Sequence, residues 1–352
     1  MYAMSKKKYT IADIAAMAGI SKGTVDRVIH KRGKVSKKAH EKITRILKEI
    51  DYQPNLVARN LKKNKTYTLY VLLPDPAKDP YWAPCLEGIT AASDEFQAFG
   101  VMIDTAFFDP SSIKSFNSKC RQVLKNKPDG VVFVPLFYQE ALAFAGDCER
   151  NDITLATFNS YLQEGQASSF IGQDLHQSGR IAGKLLHQLL GGDRKMAVIH
   201  VDEAFQNAIH MQEKEKGFRD YYGGLNDGSE VVTHTLPHKD IRNAGKSMQH
   251  FFKAHPDVSG LFVTTSKGYL LEGALPGTHA HIPVVGYDLI TQNIDALKSG
   301  TLDFLIHQNP RQQAYLGVSY LSEYFAFDKQ IPDRKLLPID IINSENYIHY
   351  LQ

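Results

Sequence analysis

Apolar residues in the first fifty positions recur at helical spacing. In residues 11 to 18, isoleucines and alanines return every three or four positions, and Thr10 stands before them as a hydroxyl cap. Gly19 supplies a turn, Ser21 can cap a second apolar stripe, and Ser36 a third. The pattern predicts a bundle of three short helices, the first two joined by a tight turn.

The pattern weakens after Pro54, where the chain reads N-L-V-A-R-N-L-K-K-N-K. Asn55 can cap about two turns of helix with a basic end. A helix shorter than about 12 to 15 residues is marginal in water unless something else orders it. We therefore expect residues 55–65 to be a linker that becomes helical only against a partner.

From Tyr67 onward, short apolar runs typical of strands alternate with amphipathic helical patterns. The runs are YTLYVLLP, VMIDTAFF, GVVFVPL, ITLATFN, KMAVIHV, VVTHTLP, GLFVTT and IPVVGYD. Strands that alternate with helices predict parallel sheets with right-handed crossovers. So many strands over one stretch favour two doubly wound subdomains, with a break near the polar residues Tyr161 to Ser169.

The predicted fold is a small all-α helix-turn-helix headpiece followed by an α/β body of two doubly wound parallel-sheet subdomains. We expect the headpiece at residues 1–54, the linker at 55–65 and the body at 66–352. The predicted first subdomain is about 66–160 and 291–325, and the predicted second is about 161–290 and 326–352.

Charge divides the chain in the same place as the apolar pattern. Of 352 residues, 43% are hydrophobic and 22% charged, as in a folded globular protein, and the net charge is only +3. Residues 1–65 nevertheless hold 17 Lys or Arg against 5 Asp or Glu, whereas the remainder holds 24 against 33. A basic module on an acidic body indicates that the first part contacts a polyanion.

Several classes of protein are disfavoured by what the sequence lacks. It has no apolar run of the roughly 18 residues that a membrane helix needs and no signal peptide, so we expect a cytoplasmic protein. Cys85, Cys120 and Cys148 are far apart and form no C-x-x-C pair, which favours free thiols. We also find no nucleophile elbow and no zinc set, and therefore expect no metal, no cofactor and no enzymatic activity.

Residues 9–63 resemble the headpiece and hinge of the LacI/GalR family. The resemblance rests on A-x-x-A-G-I-S-x-x-T-V-x-R-V, followed by V-S and Y-x-P-N-x-x-A-x-x-L. By this resemblance, four groups of residues contact DNA. The positions that contact the DNA backbone are Thr10, Ser21, Thr24 and Ser36. The positions that read bases are Lys22, Gly23 and Arg27, and His30 is a further contact. Asn55, Ala58 and Leu61 belong to the hinge that enters the minor groove.

Asp26 departs from the family, which usually has Ser before the arginine. An acid near phosphates is unfavourable unless it accepts from a cytosine amine or pairs with Lys22 one turn earlier. The departure concerns which operator sequence is bound.

The body resembles the periplasmic sugar-binding fold that this family attaches to its headpiece. Its marks are D-P-Y-W, E-K-G-F, V-V-G-Y-D and I-H-Q, and the resemblance implies a cleft between two subdomains joined by three chain crossings. The predicted effector-binding residues are Asp79, Tyr81, Trp82, Asn159, Gln212, Thr265, Asp288 and Gln308. Asn159 stands where ribose binders have Asp, and Gln212 where relatives often have Arg, which favours an amide-lined site for a neutral sugar other than ribose.

The sequence thus predicts a homodimeric, sequence-specific DNA-binding transcriptional regulator, most simply a repressor of carbohydrate-related genes. Its partners would be operator DNA and a small effector, a monosaccharide or a derivative of one. The alternative is a solute-binding protein for sugar uptake. The basic headpiece and the missing signal peptide weigh against that alternative.

Overall fold

The computed structural model describes residues 9–29, 32–50, 52, 65–162, 165–201, 207–236, 241–277 and 282–351. The chain divides into two compact units, Met1–Lys62 and Lys63–Gln352. The first contains the headpiece and the second the α/β body.

Three helices form the headpiece, as the sequence predicts: α1 (Ile11–Ala18), α2 (Lys22–Ile29) and α3 (Lys37–Glu49). Thr10 caps α1 through a reciprocal capping box with Asp13, and Gly19 ends that helix at φ 60°. The side chain of Ser36 caps α3. The core of this bundle is built from apolar residues of all three helices: Ile14, Ala15, Ala18, Val25, Val28, Ile43 and Ile46.

The predicted linker helix and the hinge positions Asn55, Ala58 and Leu61 lie outside the described residues, as does His30. The boundaries of the linker and the helical state of its residues stay predictions.

Helices and strands alternate through the body. The helices are α4 (Ala83–Gln97), α5 (Ile113–Lys125), α6 (Tyr138–Arg150), α7 (Leu175–Leu190), α8 (Ile209–Gly223), α9 (Ile241–Ala254), α10 (Thr291–Ser299) and α11 (Pro310–Phe327). The strands are β1 (Tyr67–Pro74), β2 (Val101–Phe108), β3 (Gly130–Phe133), β4 (Thr154–Phe158), β5 (Ser169–Gly172), β6 (Lys195–Val201), β7 (Glu230–Leu236), β8 (Val258–Val263), β9 (Val284–Tyr287), β10 (Phe304–His307), β11 (Arg334–Leu336) and β12 (Asp340–Ile342).

The strands form two six-stranded sheets, which confirms the predicted pair of doubly wound subdomains. The first sheet has the order β11-β5-β4-β3-β1-β2 and the second β12-β10-β9-β8-β6-β7. Every pairing is parallel except that of β12, which runs antiparallel to β10. We call the parts built on these sheets the first and the second subdomain.

The sheet pairings correct the predicted subdomain boundaries. Strand β5 pairs with β4 in the first sheet, although residues 161–290 were expected in the second subdomain. Strand β10 pairs with β9 in the second sheet, although residues 291–325 were expected in the first. Both strands have only four residues and were not predicted. Long-range pairing decides which sheet such short segments join.

The chain crosses between the subdomains three times, after β5, after β10 and after β11. Gln173, buried at the first crossing, joins all three. Its Nε2 donates to the carbonyl of His307 at 2.9 Å and to that of Pro338 at 2.5 Å. One side chain therefore ties together the three crossing segments of the hinge.

Among the described residues, no helix combines the length and apolar character needed to cross a membrane.

Candidate ligand cleft and nucleic-acid interface

The headpiece presents a basic face on α2. Lys22, Gly23 and Arg27 are exposed, while Val25 and Val28 of the same helix are buried in the bundle. A short helix after a tight turn, with its polar start exposed, has the shape and charge that enter a major groove.

The residues around the turn fix the start of α2. The hydroxyl of Ser21 accepts from the Thr24 backbone N–H at 3.3 Å and lies 2.9 Å from the Thr24 hydroxyl. A Cβ built on Gly23 meets no atom of the chain within 4 Å, so nothing in the described headpiece requires glycine there. The absent side chain instead leaves room for a partner that approaches the backbone closely.

Asp26, the departure from the family pattern, lies near Tyr52. Burial, and after it the negative charge of Asp26, raises the pKa of the Tyr52 phenol. Tyr52 packs against the headpiece core, so the carboxylate lies toward the protein side of α2.

A cavity of about 300 Å³ lies between the two subdomains. Its walls are the loops that follow β1, β2, β3 and β4 on one side and β8, β9 and β10 on the other, together with the start of α8. Ligands of open α/β sheets bind at these carboxyl ends of strands. The volume is at the lower end of the range of about 300–1,000 Å³ for small-molecule sites.

Seven of the eight predicted effector-binding residues line this cavity: Asp79, Tyr81, Trp82, Asn159, Thr265, Asp288 and Gln308. Gln212 does not line it. His210 and Lys214, four positions apart on α8, face the cavity instead. Because an α-helix turns about 100° per residue, the position midway between them faces away. Gln212 therefore lies off the cavity-facing side of α8, and its role in effector binding stays a prediction.

An aromatic wall closes the first-subdomain side. The Tyr81 and Trp82 rings stand edge to face, with centroids 4.7 Å apart, and both are buried. The Asn159 Nδ2 donates to the Tyr81 hydroxyl at 2.5 Å, which fixes the ring. Aromatic faces of this kind pack against the apolar face of a sugar ring.

Asp288 is a buried carboxylate in the cavity. It accepts from the Gln308 backbone N–H at 2.9 Å and from the Gln308 Nε2 at 2.6 Å. Its side chain is only 2% exposed. Burial raises its pKa to about 6, although Lys214 and the two hydrogen bonds from Gln308 act in the opposite direction.

Both Asn159 and Asp288 have left-handed backbone conformations, with φ of 68° and 66°. Each stands directly after a strand, β4 and β9 respectively, and each lines the cavity. Non-glycine residues in this region are uncommon and cluster at functional sites. The two residues thus turn polar side chains into the cleft from opposite subdomains.

Lys214 is a cavity residue that the sequence analysis missed. It is 2% exposed, its Nζ donates to the carbonyl of Thr264 at 3.1 Å, and the same atom lies 3.6 Å from the centroid of the Tyr287 ring. The lysine falls in a helix rich in charged residues, where an isolated pattern indicates a solvated face. Only the packing of α8 against β8 identifies it as buried.

The neighbour of Lys214 on α8 is held by a buried polar network. His200 Nε2 lies 2.7 Å from Glu215 Oε2, and its Nδ1 lies 2.8 Å from the Thr264 hydroxyl. Burial opposes ionisation of Glu215, but hydrogen bonds from His200, Thr233 and Arg219 hold its pKa at about 2. The network fixes the rotation of α8 and therefore the direction of Lys214.

Glycines bring α8 into close contact with α7. A Cβ on Gly179 would lie 1.9 Å from the carbonyl oxygen of Lys214, and a Cβ on Gly217 would lie 1.9 Å from that of His176. The two helices can pack at this distance only because these side chains are absent.

Polar residues at the rim were also missed by the sequence analysis. Lys78 forms an ion pair with Asp109, and this contact holds the pKa of Asp109 at about 2. The other unpredicted polar lining residues are Ser111, Ser266 and Lys267. The cavity therefore carries charges of both signs, which corrects the prediction of a neutral, amide-lined site.

Comparison with known proteins finds a family match for each of the two units. Residues 10–55 match the family described as bacterial regulatory proteins, lacI family, and residues 70–329 match the periplasmic binding protein domain. The chain belongs to the LacI family of regulators. It carries the helix-turn-helix domain of that family followed by a periplasmic-binding-protein domain, and it is a DNA-binding transcriptional regulator.

Individual relatives of this regulator match along most of their length. It is 26% identical over 351 residues to the ribose operon repressor of Lactococcus lactis subsp. lactis, which covers 96% of this chain and 97% of that protein. It is 26% identical over 296 residues to the ribose operon repressor of Halalkalibacterium halodurans, which covers 83% and 82% of the two chains. The structure of a candidate LacI transcriptional regulator from Bacteroides fragilis has a TM-score of 0.75 at 28% identity, covering 81% of this chain and 100% of that one.

Proposed function

We propose that this regulator is a homodimeric, cytoplasmic repressor of carbohydrate-related genes, and that a monosaccharide or a derivative of one binds in the cavity and switches its affinity for operator DNA. Two copies would be needed because one short recognition helix reads only a few base pairs. The cavity would bind the sugar without converting it.

The observation that carries the proposal is the pairing of two unlike walls across the cleft. Tyr81 and Trp82 offer apolar faces, while Asp288, Gln308 and Lys214 offer charged and amide groups on the other side. A pyranose or furanose ring has the same division between apolar C–H faces and hydroxyls at its edge. The buried Thr265 hydroxyl, which has no partner among the described residues, adds one more group for a hydroxyl to satisfy.

On the headpiece, we propose that Lys22, Gly23 and Arg27 read base edges in the major groove. Thr10, Ser21, Thr24 and Ser36 would contact the phosphate backbone, with His30 as a further contact. Asn55 would cap the linker helix, and Ala58 and Leu61 would enter the minor groove.

A thermal-shift screen against a panel of monosaccharides, their acids and their phosphates tests the effector half of the proposal. A ligand that binds only the native state stabilises it by about 2.7 kcal/mol at one hundred times its Kd. We expect at least one sugar to raise the melting temperature of wild-type protein and not that of Asp288→Asn. A panel without any stabilising sugar would contradict the proposal. Because we propose binding without turnover, NMR spectra of the sugar should stay unchanged during prolonged incubation with the protein.

A further inference from the structure

The first turn of α6 takes its cap from the other subdomain. Helix α6 belongs to the first subdomain, and Phe137 at its N-cap position makes no side-chain capping bond. Asn207 of the second subdomain takes that place. Its Oδ1 accepts from the Gln139 backbone N–H at 2.9 Å, and its Nδ2 donates to Glu140 Oε2 at 2.8 Å.

A cap supplied from another subdomain has a consequence that an ordinary cap lacks. The first N–H groups of a helix have no partner within the helix, and the side chain of the N-cap residue usually accepts from one of them. Here the acceptor belongs to Asn207, so the bond exists only while the two subdomains are close together. Separation of the subdomains would leave both Gln139 and Glu140 without this partner.

The contact lies beside the ligand cavity. Leu136, shortly before α6, and His210, in the first turn of α8, both line the cavity. A second pair of groups faces across the cleft nearby, where Glu213 of α8 lies close enough to Tyr161 for its charge to act on the phenol. Burial, and after it the nearby charge of Glu213, raises the pKa of Tyr161 to about 12.

We propose that Asn207 is a closure latch, a positioning residue that holds the cleft closed by capping α6 from the opposite subdomain. In the closed form the sugar of the proposed function is enclosed, so this part of the inference rests on that function. If a fraction of molecules is open, the apparent Kd rises in inverse proportion to the closed fraction. By stabilising the closed cleft, the latch reduces the free energy that sugar binding must supply for closure.

The single tryptophan of the sequence provides a test that needs no effector. Trp82 lines the cavity and is 4% exposed, so its fluorescence reports how open the cleft is. In full-length protein, Asn207→Ala should shift the emission to longer wavelength and increase quenching by acrylamide. Loss of a cap worth about 1 kcal/mol corresponds to a roughly fivefold larger ratio of open to closed cleft.

Asn151→Ala is the matched control. Asn151 follows the C-terminal end of the same helix, where its Nδ2 donates to the carbonyl of Asp147 at 2.8 Å, wholly within the first subdomain. This variant also removes one asparagine side chain from contact with α6, with one hydrogen bond where Asn207→Ala loses two, yet it leaves the cleft untouched. Its Trp82 quenching should equal that of the wild type.

A charge-neutral exchange separates the latch from a general loss of stability. Asn207→Asp keeps an acceptor for the Gln139 N–H but places a second carboxylate beside Glu140, so it should open the cleft relative to the wild type. Adding Glu140→Gln restores a donor opposite an acceptor, so the double variant should recover wild-type quenching. Hydrogen exchange of the Gln139 amide should follow the same order across the variants.

The latch would be overturned if acrylamide quenched Trp82 equally in Asn207→Ala and in the wild type. It would also be overturned if quenching rose as much in Asn151→Ala as in Asn207→Ala, or if quenching in the double variant did not return to the wild-type level. These outcomes are independent of the sugar. A wild-type protein that binds no sugar would contradict the proposed function and leave the comparison of quenching intact.

Discussion

Gln308 donates two hydrogen bonds to the carboxylate of Asp288, one from its backbone and one from its side chain, at 2.9 and 2.6 Å. Asp288 follows β9 and Gln308 follows β10, at the second crossing between the subdomains. The residue before it, His307, accepts through its carbonyl from Gln173, which also bonds Pro338 at the third crossing. A ligand that contacts Asp288 therefore acts one hydrogen bond away from the hinge.

Asp288→Asn should stabilise the ligand-free protein at neutral pH. The folded-state pKa of Asp288, about 6, is raised from 3.8 by burial. A raised carboxyl pKa means that its ionisation disfavours the folded state, so this group lowers the free energy of unfolding as the pH rises from about 4 through 6. Ionisation of Asp288 should therefore lower the free energy of unfolding by on the order of 2–3 kcal/mol, since one pKa unit corresponds to about 1.4 kcal/mol.

Melting temperatures at pH 4.5 and 7.5 check this prediction. The wild type should lose more stability over the interval than Asp288→Asn, which keeps the size and an acceptor for Gln308 but cannot ionise. A variant with the wild-type pH dependence would show that Asp288 does not titrate in this range.

Gly217→Ala should destabilise the body and leave the headpiece intact. The added Cβ would lie 1.9 Å from the carbonyl oxygen of His176, so α7 and α8 must move apart. Overpacking of this kind costs about 1–3 kcal/mol or more. Because α8 carries Lys214, effector affinity should fall as well, which chemical denaturation and calorimetry with a stabilising sugar would measure.

Gly223→Ala is the control for that experiment. It stands on the same helix, and a Cβ there meets no atom within 4 Å. Its stability should equal or exceed that of the wild type, because alanine restricts the unfolded chain. Equal losses in both variants would show that the α7–α8 contact does not matter.

What the sequence predicts best is local. The caps at Thr10 and Ser36 and the turn at Gly19 depend on neighbours within four residues, and the structure has them where they were expected. The apolar runs that became β1 and β2 match residue for residue, because each run is long and bounded by polar residues.

What the sequence could not supply depends on contacts between distant segments. Strands β5 and β10 were not predicted, whereas the equally short β3 and β9 lie within longer apolar runs, and the sheets that β5 and β10 join are chosen by long-range pairing. Lys214 looked like one charge among many until α7 and β8 covered it. Gln212 does not line the cavity because the packing of a helix decides which of its faces meets a cleft, and the motif alone does not contain that information.

Arg27→Ala and Gly23→Ala should both weaken operator binding without unfolding the headpiece. Loss of a bidentate contact to a base costs about 1–3 kcal/mol and relaxes preference at one base pair. Gly23→Ala tests close approach, because the chain itself leaves its Cβ free of contacts within 4 Å.

Binding isotherms on an operator found by selection, measured at several salt concentrations, distinguish these roles. The slope of log affinity against log salt should be about −0.9 per neutralised phosphate. Wild-type specificity in Arg27→Ala would remove that residue from base reading.

Leu61→Ser should reduce DNA bending and operator affinity while the effector affinity of DNA-free protein stays constant. An apolar side chain inserted at a base step partly unstacks the duplex and bends it. Fluorescence transfer between the ends of a labelled operator measures the bend. Wild-type bending in the variant would make residues 55–65 a simple tether.

The central claim is that one ligand in the cleft controls one DNA site. Its most direct test is the operator Kd of wild-type protein and Asp288→Asn, each with and without the sugar that gives the largest thermal shift. We expect the sugar to change the wild-type Kd by about 5- to 150-fold, with the same factor appearing in sugar affinity when operator is bound, and to leave the Kd of Asp288→Asn unchanged. An operator Kd that no stabilising sugar alters, or that changes equally in both proteins, would contradict the account.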